Sequence, residues 1–424
     1  MFSIKRKLPE LIFLVLFIST GLISNYGALD RIATQWLYLS VINTLGLIYF
    51  LNDKKFIAES NKVFQFKPFI FLVLFIAWGL ISYFYALNQE EVIVKAIRWV
   101  QLPISLFILL NFFKSDYLTY VKVISVIVSS ILIVELYFTY STYFQLTQLS
   151  AYDFTYAFIL KGATGNKNIN AASLLIKTPF LIYLISLFRN HLIKYSLAGV
   201  LIMTTYMVFI LSSRSSIIAL FFVISMLIFR YIYLSVRNKS MIKDTSYFLI
   251  LGGLLFSVML FSVRFNNTNS ASIIKRASTV NLEDTSTQQR LRFYQHSLDQ
   301  TLNNLLIGVG LGNWKIKSVD YDKKDVVGYT IPYHTHNDFL EISSELGIIG
   351  LILYLLIFIF PFLGIFQHKE GNKLINVNTI ILLAGIIYFI DANLQFPHAR
   401  PVMQVPFILI LVLAYIHNNR LKDA

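Results

Sequence analysis

The densest cluster of chemically competent side chains lies at residues 333–341, where two histidines and two acids follow one another closely. His334, His336, Asp338 and Glu341 all stand in this segment. An imidazole has an unperturbed pKa of about 6.5, so a neutral His336 can take a proton from a hydroxyl group at neutral pH. His334 and Glu341 are candidates for supporting that transfer. The alternative is a pair of solvated loop histidines beside a helix cap.

The same segment predicts the start of a helix. Asp338 followed by Glu341 resembles a capping box, which would turn the positive end of the helix dipole toward the imidazoles. We therefore expect an anion, such as a phosphate group, to bind beside His336. Glu345 lies one turn after Glu341 and is expected to contribute an interfacial polar face.

A metal site formed by His334 and His336 with Asp338 or Glu341 is the competing interpretation. The spacing of the two histidines offers no convincing third ligand in the loop, so the sequence predicts no metal site and no cofactor. The chain also contains no cysteine, which excludes disulfides and thiolate metal sites.

Three arginines are candidates for binding that anion. Arg214 lies in S-S-R-S-S, and Arg290 and Arg292 lie in a long polar segment. A guanidinium group is well suited to a phosphate because it presents several donors in a planar fork. The alternatives are an arginine that reaches to the membrane interface and solvated loop arginines.

Residues 308–314 read G-V-G-L-G-N-W. Gly308, Gly310 and Gly312 predict a tight turn whose backbone lies close to the membrane or to a glycan. A dinucleotide-binding loop is excluded because no strand precedes the run and no βαβ unit surrounds it.

The elements that must position these residues are transmembrane helices. Of the 424 residues, 56% are hydrophobic and only 14% are charged, and the mean hydropathy is +0.65, which excludes an ordinary soluble domain. The apolar runs are continuous rather than alternating, so they predict helices and not a barrel. The chain is thus predicted to be an all-α integral membrane protein with about twelve spans. The predicted spans are residues 9–25, 33–51, 67–86, 96–113, 119–142, 169–188, 192–212, 215–235, 246–263, 339–366, 375–393 and 401–417.

The spans predict a chain in three parts. Residues 1–263 carry nine spans, residues 264–337 form a large polar periplasmic loop with short helices, and residues 338–424 carry the last three spans. Within the loop, residues 290–306 are predicted to form an amphipathic helix that lies along the membrane surface or packs on the bundle. Its apolar stripe consists of Leu291, Tyr294, Leu298, Leu302 and Leu305.

The distribution of basic residues predicts the orientation. With both termini in the cytoplasm, 19 of the 36 Lys and Arg residues fall on the cytoplasmic side, as the positive-inside rule expects. This topology accounts for most of the net charge of +14, so no nucleic-acid partner is implied. Three charges fall inside spans and are expected to have buried partners, namely Glu135, Lys177 and Asp391. The short outer loops hold only Arg31, Lys95, Arg98, Lys161, Lys167, Arg214 and Arg400.

Five segments taken together resemble the O-antigen ligase and O-antigen polymerase superfamily of integral membrane glycan transferases. The resemblance covers roughly residues 160–400 and depends on the order and spacing of the segments around one large loop. The segments are G-N-K-N-I-N-A at 165–171, S-R-S at 213–215, R-L-R-F-Y at 290–294, I-G-V-G-L-G-N-W at 307–314, and H-N-D-F-L-E with E-L-G-I-I-G at 336–350.

This resemblance implies a GT-C-like, metal-independent transferase. Such an enzyme moves a glycan from undecaprenyl diphosphate to an acceptor hydroxyl at the periplasmic face, with inversion. Arg214 and Arg290 would bind the diphosphate, and His336 would activate the acceptor. The sequence departs from the family in carrying Leu305 where a proline commonly precedes the glycine run. It also has a second histidine, His334, which leaves the choice of base open.

The leading hypothesis is therefore an O-antigen ligase of a bacterial inner membrane that joins a lipid-linked polysaccharide to lipid A core in lipopolysaccharide biosynthesis. A polysaccharide polymerase and a protein O-oligosaccharyltransferase are alternatives that differ in the acceptor. A polysaccharide or solute transporter is the alternative from another class. It would need its functional polar groups near the midplane of the membrane, whereas here they gather at one face.

Overall fold

The computed structural model describes residues 4–24, 27–28, 30, 32–52, 60–112, 117–149, 154–239, 243–265, 285–323, 332–367 and 373–423. These residues form α-helices, short 3₁₀ helices and connecting turns, and the described part of the chain contains no strand. The α-helices are α1 (Ile4–Ile18), α2 (Ala33–Leu51), α3 (Lys67–Ile81), α4 (Gln89–Phe112), α5 (Tyr117–Leu149), α6 (Lys167–Leu187), α7 (His191–Leu211), α8 (Arg214–Arg237), α9 (Thr245–Phe265), α10 (Thr285–Asn303), α11 (Trp314–Asp322), α12 (Asp338–Gln367), α13 (Val377–Leu394) and α14 (Pro401–Asp423).

Each of the twelve predicted spans falls on one of these helices, α1–α9 or α12–α14. Ten of the twelve are long and apolar enough to cross a membrane, and two shorter apolar stretches, Leu8–Leu22 and Pro401–His417, account for the others. The prediction of an all-α, multi-pass membrane protein is therefore confirmed. The GT-C-like arrangement and the three-part division of the chain remain predictions.

The charges inside the spans have buried partners, as expected. The Lys177 ammonium donates to both carboxylate oxygens of Glu135, at 2.8 and 3.0 Å, and to the Ser173 hydroxyl. Both members of this pair are buried, so each supplies the counter-charge that the other needs away from water. Asp391 lies 3.8 Å from the guanidinium of Arg400.

Helix α12 is broken near its start, and the glycine turn packs against the break. Gly347 leaves the helical conformation with φ of 65°, and the Gly310 N–H donates to the Glu345 carbonyl at 2.8 Å. Gly308 has φ of 68°, and a Cβ there would lie 2.4 Å from the backbone of Glu345. Only glycine allows two backbones to meet this closely. The turn that also contains Gly312 therefore lies against α12 at Gly308, and its predicted approach to membrane or glycan stays a prediction.

Helix α10 begins five residues before the predicted amphipathic helix and ends three residues before its predicted end. It packs on α12 through a largely polar face, where the Ser297 hydroxyl donates to the Leu340 carbonyl at 2.7 Å and Thr301 lies 3.0 Å from Ser343. The leucines of the predicted stripe do not pack on the bundle, because their side chains are exposed. The exposed leucines are Leu291, Leu298, Leu302 and Leu305.

Candidate active site

The predicted capping box at the start of α12 is wrong. Asn337 caps the helix instead, because its side-chain oxygen accepts from the backbone N–H groups of Phe339 and Leu340 at 3.0 and 3.1 Å. This leaves the carboxylates of Asp338 and Glu341 free to turn into the protein, where both are buried. The two acids thus contribute to a buried site and do not cap the helix.

Asp338 holds a histidine that sequence reasoning did not find. Its carboxylate lies 2.5 Å from Nδ1 of His398, accepts from the backbone N–H of the same residue at 3.1 Å, and accepts from the Tyr354 hydroxyl at 3.0 Å. Burial alone would lower the pKa of His398, but Asp338 and Glu341 outweigh it and raise that pKa to about 9. His398 is therefore protonated at neutral pH.

Glu341 holds His334 in a pair that resembles a catalytic dyad. Nδ1 of His334 lies 3.0 Å from one carboxylate oxygen and 3.2 Å from the other, and the backbone N–H of Thr335 donates to the second oxygen. Burial lowers the pKa of His334, while the charge of Glu341 opposes that shift. A hydrogen bond from Nδ1–H to the carboxylate leaves Nε2 able to accept a proton.

Lys95 brings a positive charge to the same cluster. Its ammonium lies 3.1 Å from Nε2 of His398 and 3.6 Å from Glu341. His334, Glu341 and His398 have possible ligand atoms within 4.8 Å of one another, so a third ligand exists that the loop sequence lacked. The ammonium already supplies the charge that a divalent ion would bring there. The absence of a metal site nevertheless remains a prediction.

The ring of Phe396 has a different charged or titratable group on each face. The His334 ring stacks on it with centroids 3.9 Å apart, and the Arg400 guanidinium lies 3.8 Å from the same centroid. Two groups this close to one ring centre must occupy opposite faces. His336 meets the ring edge-on at 5.2 Å. His334 thus lies on one side of Phe396, Arg400 on the other, and His336 at the rim.

The arginine face of Phe396 carries a buried positive charge. Arg400 is only 1% exposed, and its Nε and Nη1 have no hydrogen-bond partner among the described residues. Burial lowers its pKa to about 10, so the group remains charged at neutral pH. Asp391, its partner at 3.8 Å, also lies 3.4 Å from the hydroxyl of Ser215 in the S-R-S motif.

His336 lies beside this charge in a strained conformation. Its φ of 61° is uncommon for a residue other than glycine, and its Nδ1 is buried without a hydrogen-bond partner among the described residues. Burial, then the charges of Arg290 and Arg400, lower the pKa of His336 to about 3. The imidazole is therefore neutral. Such strain is typical of functional positions, where the surrounding structure imposes it.

The three predicted arginines have different surroundings. Arg214 donates to the Thr287 hydroxyl at 3.1 Å, which brings the start of α8 to the start of α10. Arg290 lies close enough to His336 to lower its pKa. Arg292 instead forms an ion pair of 2.7 Å with Asp322 on α11. Arg290 and Arg400 thus act on His336 electrostatically, Arg214 contacts the start of α10, and Arg292 pairs with α11.

A cavity of about 570 Å³ opens on the His334 side of Phe396. Its wall includes His334, Glu341 and His398 from the cluster, and residues of α4 including Lys95 and Trp99. The cavity therefore joins the acid, base and ammonium groups to space that a substrate can fill.

Sequence reasoning missed His398, Arg400 and Phe396 because they lie about 60 residues beyond the histidine segment and meet it only in the folded chain. One signal could have found two site residues. Lys95 and Arg400 are among the seven basic residues that the predicted topology leaves on the outer side, where such residues are scarce.

Comparison with known proteins agrees with the resemblance found in the sequence. Residues 198–355 match the model of the O-antigen ligase family. A Rickettsia typhi protein named "putative polysaccharide ligase" is 25% identical over 406 residues, or 91% of each chain. A Rickettsia conorii protein of the same description is 29% identical over 152 residues, which are 35% of this chain and 34% of that protein. The matched family segment contains Arg214, Arg290, the glycine turn, both histidines and Glu341, but not Lys95, His398 or Arg400.

Proposed function

We propose that this protein, whose residues 198–355 carry the O-antigen ligase domain, is an inverting membrane glycosyltransferase. It moves a polysaccharide from undecaprenyl diphosphate to a hydroxyl of lipid A core at the periplasmic face of a bacterial inner membrane. The observation that carries the proposal is His336, a neutral, half-buried imidazole whose pKa is lowered by desolvation and then by two neighbouring guanidinium groups. A base beside an anion-binding pocket is what transfer from a diphosphate requires.

In the proposed reaction the acceptor oxygen attacks the anomeric carbon of the donor sugar. The bond from that carbon to the diphosphate oxygen breaks, and the diphosphate leaves with the bonding electron pair. The acceptor proton passes to His336. Arg214, Arg290 and Arg400 stabilise the negative charge that develops on the leaving diphosphate through charge-assisted hydrogen bonds.

The charges around His336 imply that binding of the donor makes His336 a stronger base. With the site empty, a pKa of about 3 makes the imidazole a weak base. A diphosphate bound beside Arg290 and Arg400 offsets their positive charge, so the pKa of His336 rises toward its ordinary value. The imidazole becomes an effective base only when the donor is in place.

His334 is the second candidate base. The observation in its favour is the pairing with Glu341 at 3.0 Å, which fixes the ring and stabilises the imidazolium that proton uptake would form. His334 and His336 lie against the same ring of Phe396, so a reacting hydroxyl at that ring is near both.

A polymerase or a protein O-oligosaccharyltransferase would use the same donor site with another acceptor. A transporter is less well supported, because the described polar cluster lies where α12 begins and the Glu135–Lys177 pair within the spans is mutually satisfied.

The test is a transfer assay with purified, reconstituted protein and an undecaprenyl-diphosphate glycan. Lipid A core, a second lipid-linked repeat and a periplasmic protein are offered as acceptors, and mass spectrometry identifies which of them gains the glycan. His336→Ala should abolish transfer without loss of fold, whereas the matched control His191→Ala, at an exposed position on α7, should not. Transfer that survives in His336→Ala but not in His334→Ala would move the base to His334. No transfer by folded wild-type protein would overturn the proposal.

A further inference from the structure

The cavity on the His334 side of Phe396 has a wall whose charges are paired. Arg98 forms an ion pair of 2.7 Å with Asp30, and Lys315 forms one of 2.7 Å with Glu91. Lys95 lies 3.6 Å from Glu341. Each of these three basic side chains thus has an acidic neighbour. The wall also contains the His398 imidazole and the Glu345 carboxyl group, so it has no excess of positive charge to attract an anion.

Paired charges still leave many hydrogen-bonding positions. A carboxylate can accept several hydrogen bonds and a guanidinium or ammonium can donate several, so each pair presents donors and acceptors side by side. A sugar hydroxyl donates and accepts at once and can bridge such a pair. On the other face of Phe396, by contrast, the Arg400 guanidinium has two nitrogens without a hydrogen-bond partner among the described residues, which is the chemistry that a diphosphate requires.

The size and the aromatic part of the wall agree with a glycan. A volume of about 570 Å³ lies within the range of about 300–1,000 Å³ that holds drug-sized ligands, so it suits a short oligosaccharide. Trp36 and Trp99 contribute to the wall, and an indole offers an apolar surface. The N–H of Trp36 already donates to the Ala399 carbonyl at 3.1 Å.

We propose that this cavity binds the acceptor as a short, uncharged segment of glycan, two or three sugars long. The proposal rests on the proposed transferase function and assigns the second substrate of that site. The terminal sugar lies against His334, and its reacting hydroxyl reaches the rim of Phe396, where His336 lies. Phe396 then separates the neutral acceptor from the anionic donor group and leaves one meeting point beside the histidines.

Val94 provides the test because it lines the cavity and yet is 46% exposed on α4, so a larger side chain should not disturb the helix. Val94→Trp places an indole where the acceptor would lie. The matched control is Ile97→Trp, one turn along α4, where the side chain is 54% exposed and is not part of the wall. Thermal midpoints in detergent show whether both variants fold.

Two measurements are made on wild-type protein and both variants. The first is the transfer rate at varied lipid A core and varied donor. The second is calorimetric binding of dephosphorylated core oligosaccharide freed from its lipid, without donor. Val94→Trp should raise the acceptor KM about tenfold or more and weaken oligosaccharide binding to match, with the donor KM unchanged. Ile97→Trp should behave as wild type.

The outcomes separate the two proposals. If wild-type protein transfers the glycan and folded Val94→Trp has an unchanged acceptor KM, the acceptor site is overturned and the transferase function is retained. If wild-type protein binds the oligosaccharide, Val94→Trp does not, and no form shows transfer, the glycan-binding cavity is supported and the transferase function is overturned. If Val94→Trp weakens transfer to a serine-rich peptide but not to the glycan acceptor, the assignment of a glycan to this cavity is overturned. Absence of both binding and transfer in wild type overturns both proposals.

Discussion

At the scale of single residues, the position of His336 links backbone strain to electrostatics. Its left-handed backbone holds the ring at the rim of Phe396, where Nδ1 is buried and without a partner among the described residues. The Tyr294 hydroxyl donates to the His336 carbonyl at 3.0 Å, which fixes the backbone on one side. The strain is thus opposed by contacts that belong to α10, and a loop residue gains a defined position beside two guanidinium groups.

The lowered pKa of His336 predicts different pH profiles for empty and donor-bound protein. A base must be deprotonated, and a pKa of about 3 means that His336 in the empty site is already deprotonated at pH 5. The value of kcat/KM for the donor, which reports the free enzyme, should therefore not fall between pH 7 and 5. The value of kcat reports the donor complex, where the pKa is higher, and should fall on acidification. Initial rates measured between pH 5 and 7 test this prediction. A fall near pH 6.5 in both the kcat/KM profile and the kcat profile would contradict it.

The arginines should differ in their effect on the donor. Arg290→Gln removes a charge beside His336 and should raise the donor KM about tenfold or more, because a charge-assisted contact to phosphate is lost. Arg292→Gln is the matched control two residues along α10. Its guanidinium is paired with Asp322, so the donor KM should change less than about twofold. Equal effects of the two variants would argue against a diphosphate pocket centred on Arg290.

The position of Lys95 predicts that chelation leaves transfer intact. Its ammonium stands among the three side chains that would otherwise suit a metal ion, so Glu341 already has a cationic neighbour. Treatment with EDTA should change the initial rate less than about twofold, since no step requires a divalent ion. Complete inhibition that added Zn²⁺ or Mg²⁺ reverses would instead identify His334, Glu341 and His398 as metal ligands.

At the scale of elements, the site depends on a backbone junction between the glycine turn and the break in α12. The Ile348 N–H donates to the Leu305 carbonyl at 2.8 Å, and the Val309 N–H donates to the Ser344 carbonyl at 3.0 Å. These bonds use backbone groups that the break at Gly347 would otherwise leave without partners. The junction thus ties the end of the large loop to the segment of α12 that carries Glu341.

This junction should not tolerate a side chain at Gly308. Gly308→Ala combines a positive φ with a Cβ that would lie 2.4 Å from the Glu345 backbone, so we expect a loss of about 3 kcal/mol in stability. Gly199→Ala is the control, because no atom lies within 4 Å of its Cβ and the position is helical. That variant should be neutral or slightly stabilised. Thermal midpoints in detergent compare the two, and equal midpoints would show that the turn does not need glycine at residue 308.

The elements were more predictable than the site for a physical reason. A transmembrane span consists of some 20 consecutive apolar residues, so the twelve predicted spans could be found from local sequence alone. His398 and Arg400 approach His334 and His336 only through the packing of α12, α13 and α14, and no local pattern encodes that contact. The cap at Asn337 was missed because Asn337 and Asp338 are equally good cap residues, and tertiary contact with His398 decided between them.

At the scale of the whole molecule, four of the seven basic residues that the predicted topology places outside lie at or near the site. Of the seven basic residues that the predicted topology places in short outer loops, Arg98 and Lys95 line the cavity and Arg400 lies across Phe396. The fourth, Arg214, begins α8 and contacts α10. The positive-inside rule disfavours such charges on the outer side, so we propose that contacts with the substrates explain their retention there.

This argument predicts which face of the membrane the site occupies, and the absence of cysteine makes the prediction simple to test. Single variants Asn304→Cys, beyond α10, and His191→Cys, at the start of α7, each place one thiol at an exposed position. In intact spheroplasts a membrane-impermeant maleimide should label Asn304→Cys, and should label His191→Cys only after permeabilisation, because the positive-inside rule places residue 191 in the cytoplasm. Transfer activity in both variants is the control for correct folding. The reverse labelling pattern would turn the site toward the cytoplasm, and the clustered outer charges would then be ordinary cytoplasmic ones that need no substrate to explain them.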